Sequence, residues 1–391
     1  MISFIINEIR KIGTVQSEDK TFVLVTFGSA GVRIGHKLYT AGKAQRMPIE
    51  WGLVITGNSE EEKFLVESGL PVDRIIRLLD EGASREIELG CEKIEERKTE
   101  IIEKIKRFLN RSKAIIIVIG GYAGGVSGAC CRKEILEDIA QYSNVDSIFY
   151  FAIASHEDAD DLVMKNEANE FENLTYRASN DQRFSRISVL FAQNRFPDPQ
   201  YCNRVIVNGA ILPLLKCLIK PDLSGEQRLK RRYLTGVVGT IATSEEAGVK
   251  TDKESLRRLV DCAARNTFID APEPGGVFEH IVALIQLPTS KITDTLRKIL
   301  REEIADRFDI PEKSVDVFGA PEDRTSVTRL VLLCCGFRDT LKFRESGLSK
   351  MLEKSRNIEI EEVEEWKRRT RESTYNTIRT GEENKQSLEV V

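Results

Sequence analysis

Five short apolar runs punctuate the first 220 residues: FVLVTF, GLVIT, AIIIVI, SIFYFAI and ISVLFA. Each is rich in β-branched or aromatic residues and is followed by turn-like or helix-like sequence. That rhythm predicts a parallel sheet with helices on both faces. Two polar stretches lie between the runs. Residues 86–110, EIELGCEKIEERKTEIIEKIKRFLN, carry Glu and Lys at near-neighbour helical spacing and predict an exposed helix. Residues 156–186 predict a charged excursion of short helices and loops.

Residues 203–220, NRVIVNGAILPLLKCLIK, differ in kind, because hardly any polar face remains. A helix apolar nearly all round belongs in the interior, here between two domains. Pro213 inside it removes a backbone donor and crowds the preceding turn, so a kink or a split is expected there. Beyond residue 236 the pattern changes. Leu256, Leu259, Val260 and Ala263 share one helical face, and Ile292, Leu296, Ile299, Leu300 and Ile304 mark another helix. GVFEHIVALIQLP, SVDVFGA and VTRLVLLCCGF read as strands, so this part predicts two helices on a small sheet. The polar ending RRTRESTYNTIRTGEENKQSLEVV has too little apolar surface to hold one conformation alone, and the stretch from 339 predicts a helix or two followed by a tail.

With 391 residues, a two-domain chain is the natural expectation. The formal net charge of −4, spread over many charges of both signs, gives no reason to expect nucleic acid or an anionic lipid surface as partner. The opening MISFIINEIRKIGTV lacks the basic start, long apolar core and cleavage site of a signal peptide, and no run predicts an integral membrane segment. Eight cysteines include two adjacent pairs and no C-x-x-C, which argues for reduced, mostly buried thiols of a cytoplasmic protein. His36, His156 and His280 have no ligand spacing, so no protein-bound metal is expected.

The candidate chemistry lies in two glycine turns. VLVTFGSAGVRIGHKLY places Gly28, Gly31 and Gly35 between the first strand and a helix, and VIGGYAGGVSGACCRKEIL repeats the arrangement after AIIIVI. At such turns bare backbone N–H groups can approach a phosphate, and the helix dipole favours its charge. The spacing is neither G-x-G-x-x-G nor G-x-x-x-x-G-K-[ST], which argues against a dinucleotide fold and a P-loop. Glycine at one strand-to-helix turn is often only a steric necessity. Two such turns on one sheet edge point to a polyphosphate.

These segments resemble the tubulin/FtsZ superfamily, including its archaeal CetZ branch. GSAGVRIG is similar to the tubulin loop GQCGNQIG, and GGYAGGVSGA stands where the superfamily carries G-G-G-T-G-[ST]-G. LPVDRIIRLLDEGASREIELGCEKI, AQNRFPDPQYCNRV and the strands to LVLLCCGF follow in the same order, so the resemblance covers roughly residues 20–337. It implies an α/β chain with a Rossmann-like parallel-sheet nucleotide-binding domain (1–202), a central helix and following loop (203–235), a smaller α+β domain (236–338) and a helical, polar tail (339–391). It also implies GTP or GDP as ligand, with Mg2+ held through nucleotide and water, and head-to-tail self-assembly or co-assembly with an FtsZ- or tubulin-like protein. Gly28, Ser29 and Gly31 would line the α- and β-phosphates, with Arg33 in the same helix. Gly121, Tyr122, Ala123, Gly124, Gly125, Val126, Ser127 and Gly128 would form the loop around the β- and γ-phosphates, and Gly82, Ala83 and Ser84 would lie near the γ-phosphate. Asn194 and Asn203 are candidates for base and ribose, since an amide both donates and accepts, though either can instead cap a turn or helix.

Two departures qualify this. Tyr122, Ala123 and Val126 replace glycines of the signature, and Val126 is the most awkward, because a β-branched residue does not take the positive φ that glycine permits. In the loop after the central helix, counting from Pro221, the family's N-x-D-x-x-[DE] positions hold Gly225, Gln227 and Lys230. A carboxylate can orient water and accept its proton, whereas Gln only orients and Lys reverses the charge. Asp222 and Glu226 stand near enough to substitute if the loop is shifted. The expected protein is a cytoskeletal guanine-nucleotide switch with weak hydrolysis. A non-hydrolysing scaffold that caps or co-assembles with an active relative is the alternative. An NAD-linked enzyme would need a hydride-transfer constellation that the sequence does not display.

Overall fold

The computed structural model describes residues 21–83, 86–109, 114–155, 161–193, 198–219, 238–248, 251–267, 278–322 and 326–336. Six strands come first: β1 (Thr21–Phe27), β2 (Ile49–Thr56), β3 (Ile75–Arg77), β4 (Ala114–Gly121), β5 (Val145–Ala154) and β6 (Ile187–Gln193). They run parallel in the order β3-β2-β1-β4-β5-β6. Alternation along each strand explains the two covered faces. On β1, Phe22 and Leu24 point to one core while Val23, Val25 and Phe27 point to the other; on β4, Ile115, Ile117 and Ile119 oppose Ile116 and Val118.

Helices α1 (Gly28–Ala44) and α2 (Ser59–Glu67) cover the first face. The second face takes α3 (Ile87–Leu109), α4 (Gly125–Arg132), α5 (Ile135–Ala140) and α6 (Asp161–Asn180). Helix α6 corrects one expectation: the charged excursion contains a single 20-residue helix. Met164, Ala168, Phe171, Leu174 and Ala178 recur every three or four residues and are buried, a stripe hidden in the sequence by the charges between them. Because α1 and α4 leave adjacent strands for opposite faces, the carboxyl ends of β1 and β4 form the point where strand order reverses. In open α/β sheets that crevice is where ligands bind.

The chain then enters α7 (Pro199–Ile206), a π-turn (Val207–Ile211) and α8 (Leu212–Ile219). Pro213 has no N–H to offer the carbonyl four residues back, that of Gly209. The Thr243 hydroxyl donates to that oxygen instead. The helix is thus widened by one turn at the proline and tied to the strand that follows. Ile206, Ile211, Leu214 and Leu215 are all buried in a core shared with Val282, Leu284, Phe318 and Val331. By composition Gln200–Ile219 is long and apolar enough to cross a membrane, yet 67% of its apolar window is buried inside the protein.

Strands β7 (Val238–Ala247), β8 (His280–Leu287), β9 (Val315–Pro321) and β10 (Val327–Cys335) complete a ten-stranded sheet in the order β3-β2-β1-β4-β5-β6-β7-β10-β8-β9. Among the described residues three register pairs, Val189↔Val238 to Phe191↔Thr240, join β6 to β7. Strand β10 is antiparallel to both β7 and β8, so the parallel order of the first six strands ends here, although the sheet itself is continuous. Helices α9 (Lys253–Arg265) and α10 (Asp294–Phe308) pack on it around a third core containing Leu256, Val260, Leu300 and Ile304. All eight cysteines are free thiols, six of them buried.

Candidate functional site at the sheet switch point

The helix starts distinguish one end of the sheet. Asn58, Asp198, Asp252 and Thr293 cap α2, α7, α9 and α10 with side-chain acceptors for first-turn N–H groups. Neither α1 nor α4 has a side-chain cap, and neither carries an acidic residue in its first turn. Both start at the carboxyl ends of β1 and β4, which pair as far as Phe27↔Gly120. Two sets of N–H groups and two positive dipole ends therefore converge without a carboxylate of their own.

The glycines here divide into two kinds. A Cβ on Gly31 would lie 2.3 Å from the Ile119 carbonyl oxygen, one on Gly125 would lie 2.5 Å from Ala83 Cβ, and one on Gly128 would lie 2.9 Å from Ile87. These three let helices approach strand and loop closely. Gly28, Gly121 and Gly124 are different, since their Cβ positions face Ser127, with Oγ at 3.5, 3.3 and 2.8 Å. Gly28 also takes φ of +64°, which a side chain would resist. Ser127, in the first turn of α4, thus sits at the centre of a backbone cradle that includes both turns. The third predicted loop reaches the same place: Ala83 touches Gly125, and Gly82 adopts φ of +87°.

The three substituted glycines do not obstruct the cradle. Val126 lies within α4 and does not adopt positive φ, so the strain expected from its branching is absent. Tyr122, Ala123 and Val126 are all buried in the core beneath the sheet face. The Tyr122 ring meets Phe191 edge-on at 5.2 Å between centroids. Gly57 makes room for Val126, since a Cβ there would come within 2.6 Å of Val126 Cγ2. Side chains that point inward leave the backbone free.

Beneath the loop lies a polar pair that no sequence motif marks. Glu167, on α6, accepts a hydrogen bond of 2.8 Å from the Ser155 N–H through one oxygen. Its other oxygen and the Tyr122 hydroxyl are buried without hydrogen-bond partners among the described residues. Burial pushes the Glu167 carboxyl up to about 7, and burial, then Glu167 itself, holds the Tyr122 phenol well above its ordinary range.

A groove of about 800 Å3 runs between α1 and α7. Arg33 and Asn203 both line it, so two residues far apart in sequence are brought together on one groove. Ser29, at the start of α1, is exposed. Ser84, Asn194, Asp222, Glu226, Gln227 and Lys230 lie outside the described residues.

No protein-family model matches the chain, and no curated protein matches its sequence. Solved structures do. CetZ from Methanosaeta thermophila strain DSM 6194 superposes with a TM-score of 0.72 at 16% identity, over 95% of this chain and 100% of that one. CetZ2 from Haloferax volcanii, a GTPγS-bound protofilament, gives 0.67 at 17% identity over 88% and 99%. The empty FtsZ dimer of M. jannaschii gives 0.58 at 14% over 84% and 92%. Strand order, a central helix between two packed sheet regions, and these superpositions agree: the chain has the tubulin/FtsZ fold.

Proposed function

We propose that this protein binds a guanine nucleotide at the β1/β4 switch point and acts as a tubulin/FtsZ-like cytoskeletal switch. The observation that carries this is the pair of uncapped helix starts, α1 and α4, converging on Ser127 with no carboxylate in either first turn. Such a site satisfies its N–H groups with an anion. The backbone around Gly28, Gly121 and Gly124 would hold phosphates, and the Ser127 hydroxyl would donate to them. Arg33 and Asn203 would face ribose and base along the groove they share, with Asn194 as the further candidate for the base. Magnesium would be carried by phosphate oxygens and water. Binding of GTPγS by CetZ2, a protein of the same fold, supports the choice of guanine nucleotide.

Assembly is proposed to be head-to-tail, each subunit presenting residues 221–235 to its neighbour's nucleotide, since a heterologous contact that does not close generates a filament. Hydrolysis is proposed to be weak. Gln227 can hold water but cannot take its proton, and Lys230 can only offset charge on the departing phosphate. Loss of a general base costs about two to four orders of magnitude in rate. If Glu226 or Asp222 instead serves as base, Glu226→Ala or Asp222→Ala collapses a fast turnover. If neither does, both leave a slow rate unchanged, while Gln227→Asp with Lys230→Asp raises it.

The test is mass spectrometry of small molecules released on denaturing the purified protein, paired with light scattering on adding GTP and magnesium. Recovered GDP or GTP and a nucleotide-dependent rise in scattering are expected. Absence of both, with no measurable affinity for either nucleotide, would replace the switch by a nucleotide-independent scaffold of the same fold.

A further inference from the structure

The groove between α1 and α7 continues beyond Asn203 to Ala44, eleven residues from Arg33 and therefore ~16 Å farther along the helix axis. Its lining is one-sided in charge. Arg33, Lys37 and Arg204 supply cations, and among the described residues no carboxylate lines it. Burial, with help from Lys37, lowers the His36 pKa, so this ring contributes an uncharged edge, packed against Phe64 at 4.9 Å between centroids. Ala41, Ala44, Phe64 and Val207 form an apolar floor, and Phe64 is 43% exposed, uncommon for a large aromatic. A cationic rim over an apolar floor, on a chain of net charge −4, selects an acidic segment that also carries aliphatic or aromatic anchors.

Such a segment lies beyond the described fold in the chain itself. Residues 357–366, NIEIEEVEEW, hold five glutamates interleaved with Ile358, Ile360, Val363 and Trp366. The described fold ends at Gly336, and the twenty residues between 336 and 357 can span up to about 70 Å, more than the width of a domain this size. We propose that residues 357–366 dock within the same chain into the α1/α7 groove, glutamates against Lys37 and Arg204 and apolar side chains on the Phe64 floor. Docking within one chain is favoured by effective concentration, so modest contacts suffice. The proposal does not rest on the nucleotide reading, although occupancy near Arg33 and Asn203 would couple the two sites if both hold.

The chain has two tryptophans, Trp51, which is buried, and Trp366. Subtracting the emission of Trp366→Phe from that of the full-length protein isolates Trp366. In nucleotide-free buffer at low salt, the isolated emission is expected to be blue-shifted. Its acrylamide quenching should be several-fold weaker than that of a free peptide of residues 350–370. Lys37→Glu with Arg204→Glu should restore the peptide's emission and quenching, as should changing all five glutamates to Gln, which leaves the groove untouched. The proposal is overturned if Trp366 in the unmodified protein already quenches like the free peptide, or if protection survives both sets of substitutions. It is equally overturned if protection vanishes on dilution, since that assigns the groove to a second copy.

Discussion

Helix starts of two kinds occur in the molecule: α2, α7, α9 and α10 carry a side-chain cap, whereas α1 and α4 do not. In the second half, Asp252 accepts from the Ser255 N–H at 2.9 Å and Thr293 from the Leu296 N–H at 3.1 Å, so α9 and α10 complete their own first turns. In the first half, α1 and α4 have no side-chain cap and meet at one sheet edge. A cap contributes about 1 kcal/mol and occupies the place an anion would take. A start that completes itself serves packing, whereas α1 and α4 leave their first-turn N–H groups without an acceptor from their own cap. The glycines repeat the lesson on a smaller scale, since Gly31 exists for helix-on-strand contact and Gly124 for open backbone.

The largest effects are expected at those two glycines. Gly31→Ala forces a Cβ against the Ile119 carbonyl and is expected to cost about 3 kcal/mol or more, read by chemical denaturation. Gly124→Ala meets only the rotatable Ser127 hydroxyl, so stability should change by less than about 1 kcal/mol, while nucleotide affinity falls at least tenfold. Equal destabilisation by both would erase the distinction between packing and cradle glycines.

Next in size is the buried carboxyl under the cradle. Glu167 is pushed up to about 7, so the folded protein retains a proton that the unfolded chain loses above the ordinary glutamate range. Its contribution to stability must therefore fall as pH rises from about 4.5 to 7 and level off above. Glu167→Gln removes that penalty, and the variant should gain on the parent by an amount on the order of 3 kcal/mol at pH 8 relative to pH 4.5. A parent and variant with parallel pH profiles would show the carboxyl to be ionised without cost.

Smaller effects belong to the joint and to the caps. Thr243→Val leaves the Gly209 carbonyl without its donor and should cost about 1–3 kcal/mol. Asp252→Ala should cost about 1 kcal/mol through α9 alone, without touching nucleotide affinity. Both are read by urea midpoints, and a change in affinity on Asp252→Ala would mean that the halves are not independent.

Much of this architecture is legible in the chain because local and global signals coincide. The apolar runs are strands, the central helix is interior, and Pro213 does disturb it. The π-turn itself is not legible, because the hydroxyl that meets the Gly209 carbonyl comes from Thr243, thirty-four residues away. Helix α6 was obscured because charged residues such as Glu167 and Glu170 lie on its buried side, and a carboxylate inside a core violates the pattern by which cores are recognised. At the site, the positions of Gly28, Gly124 and Ser127 follow from strand-to-helix turns. The harmlessness of Tyr122, Ala123 and Val126 does not, because a motif gives residue types and not the direction in which each side chain leaves the loop. Only packing against Phe191 and the vacancy at Gly57 decide that.

On the proposed function, the phosphates of a guanine nucleotide complete the uncapped starts of α1 and α4. Ser29→Asp tests it directly, because the position is exposed and a carboxylate there supplies α1 with the first-turn acid it lacks. Calorimetric titration of GTP and GDP with magnesium into nucleotide-free protein should show saturable binding to the parent. Ser29→Asp should retain or raise its unfolding midpoint and bind neither nucleotide measurably. Undiminished binding by Ser29→Asp, or none by the parent, would show that these helix starts do not hold a nucleotide's phosphates.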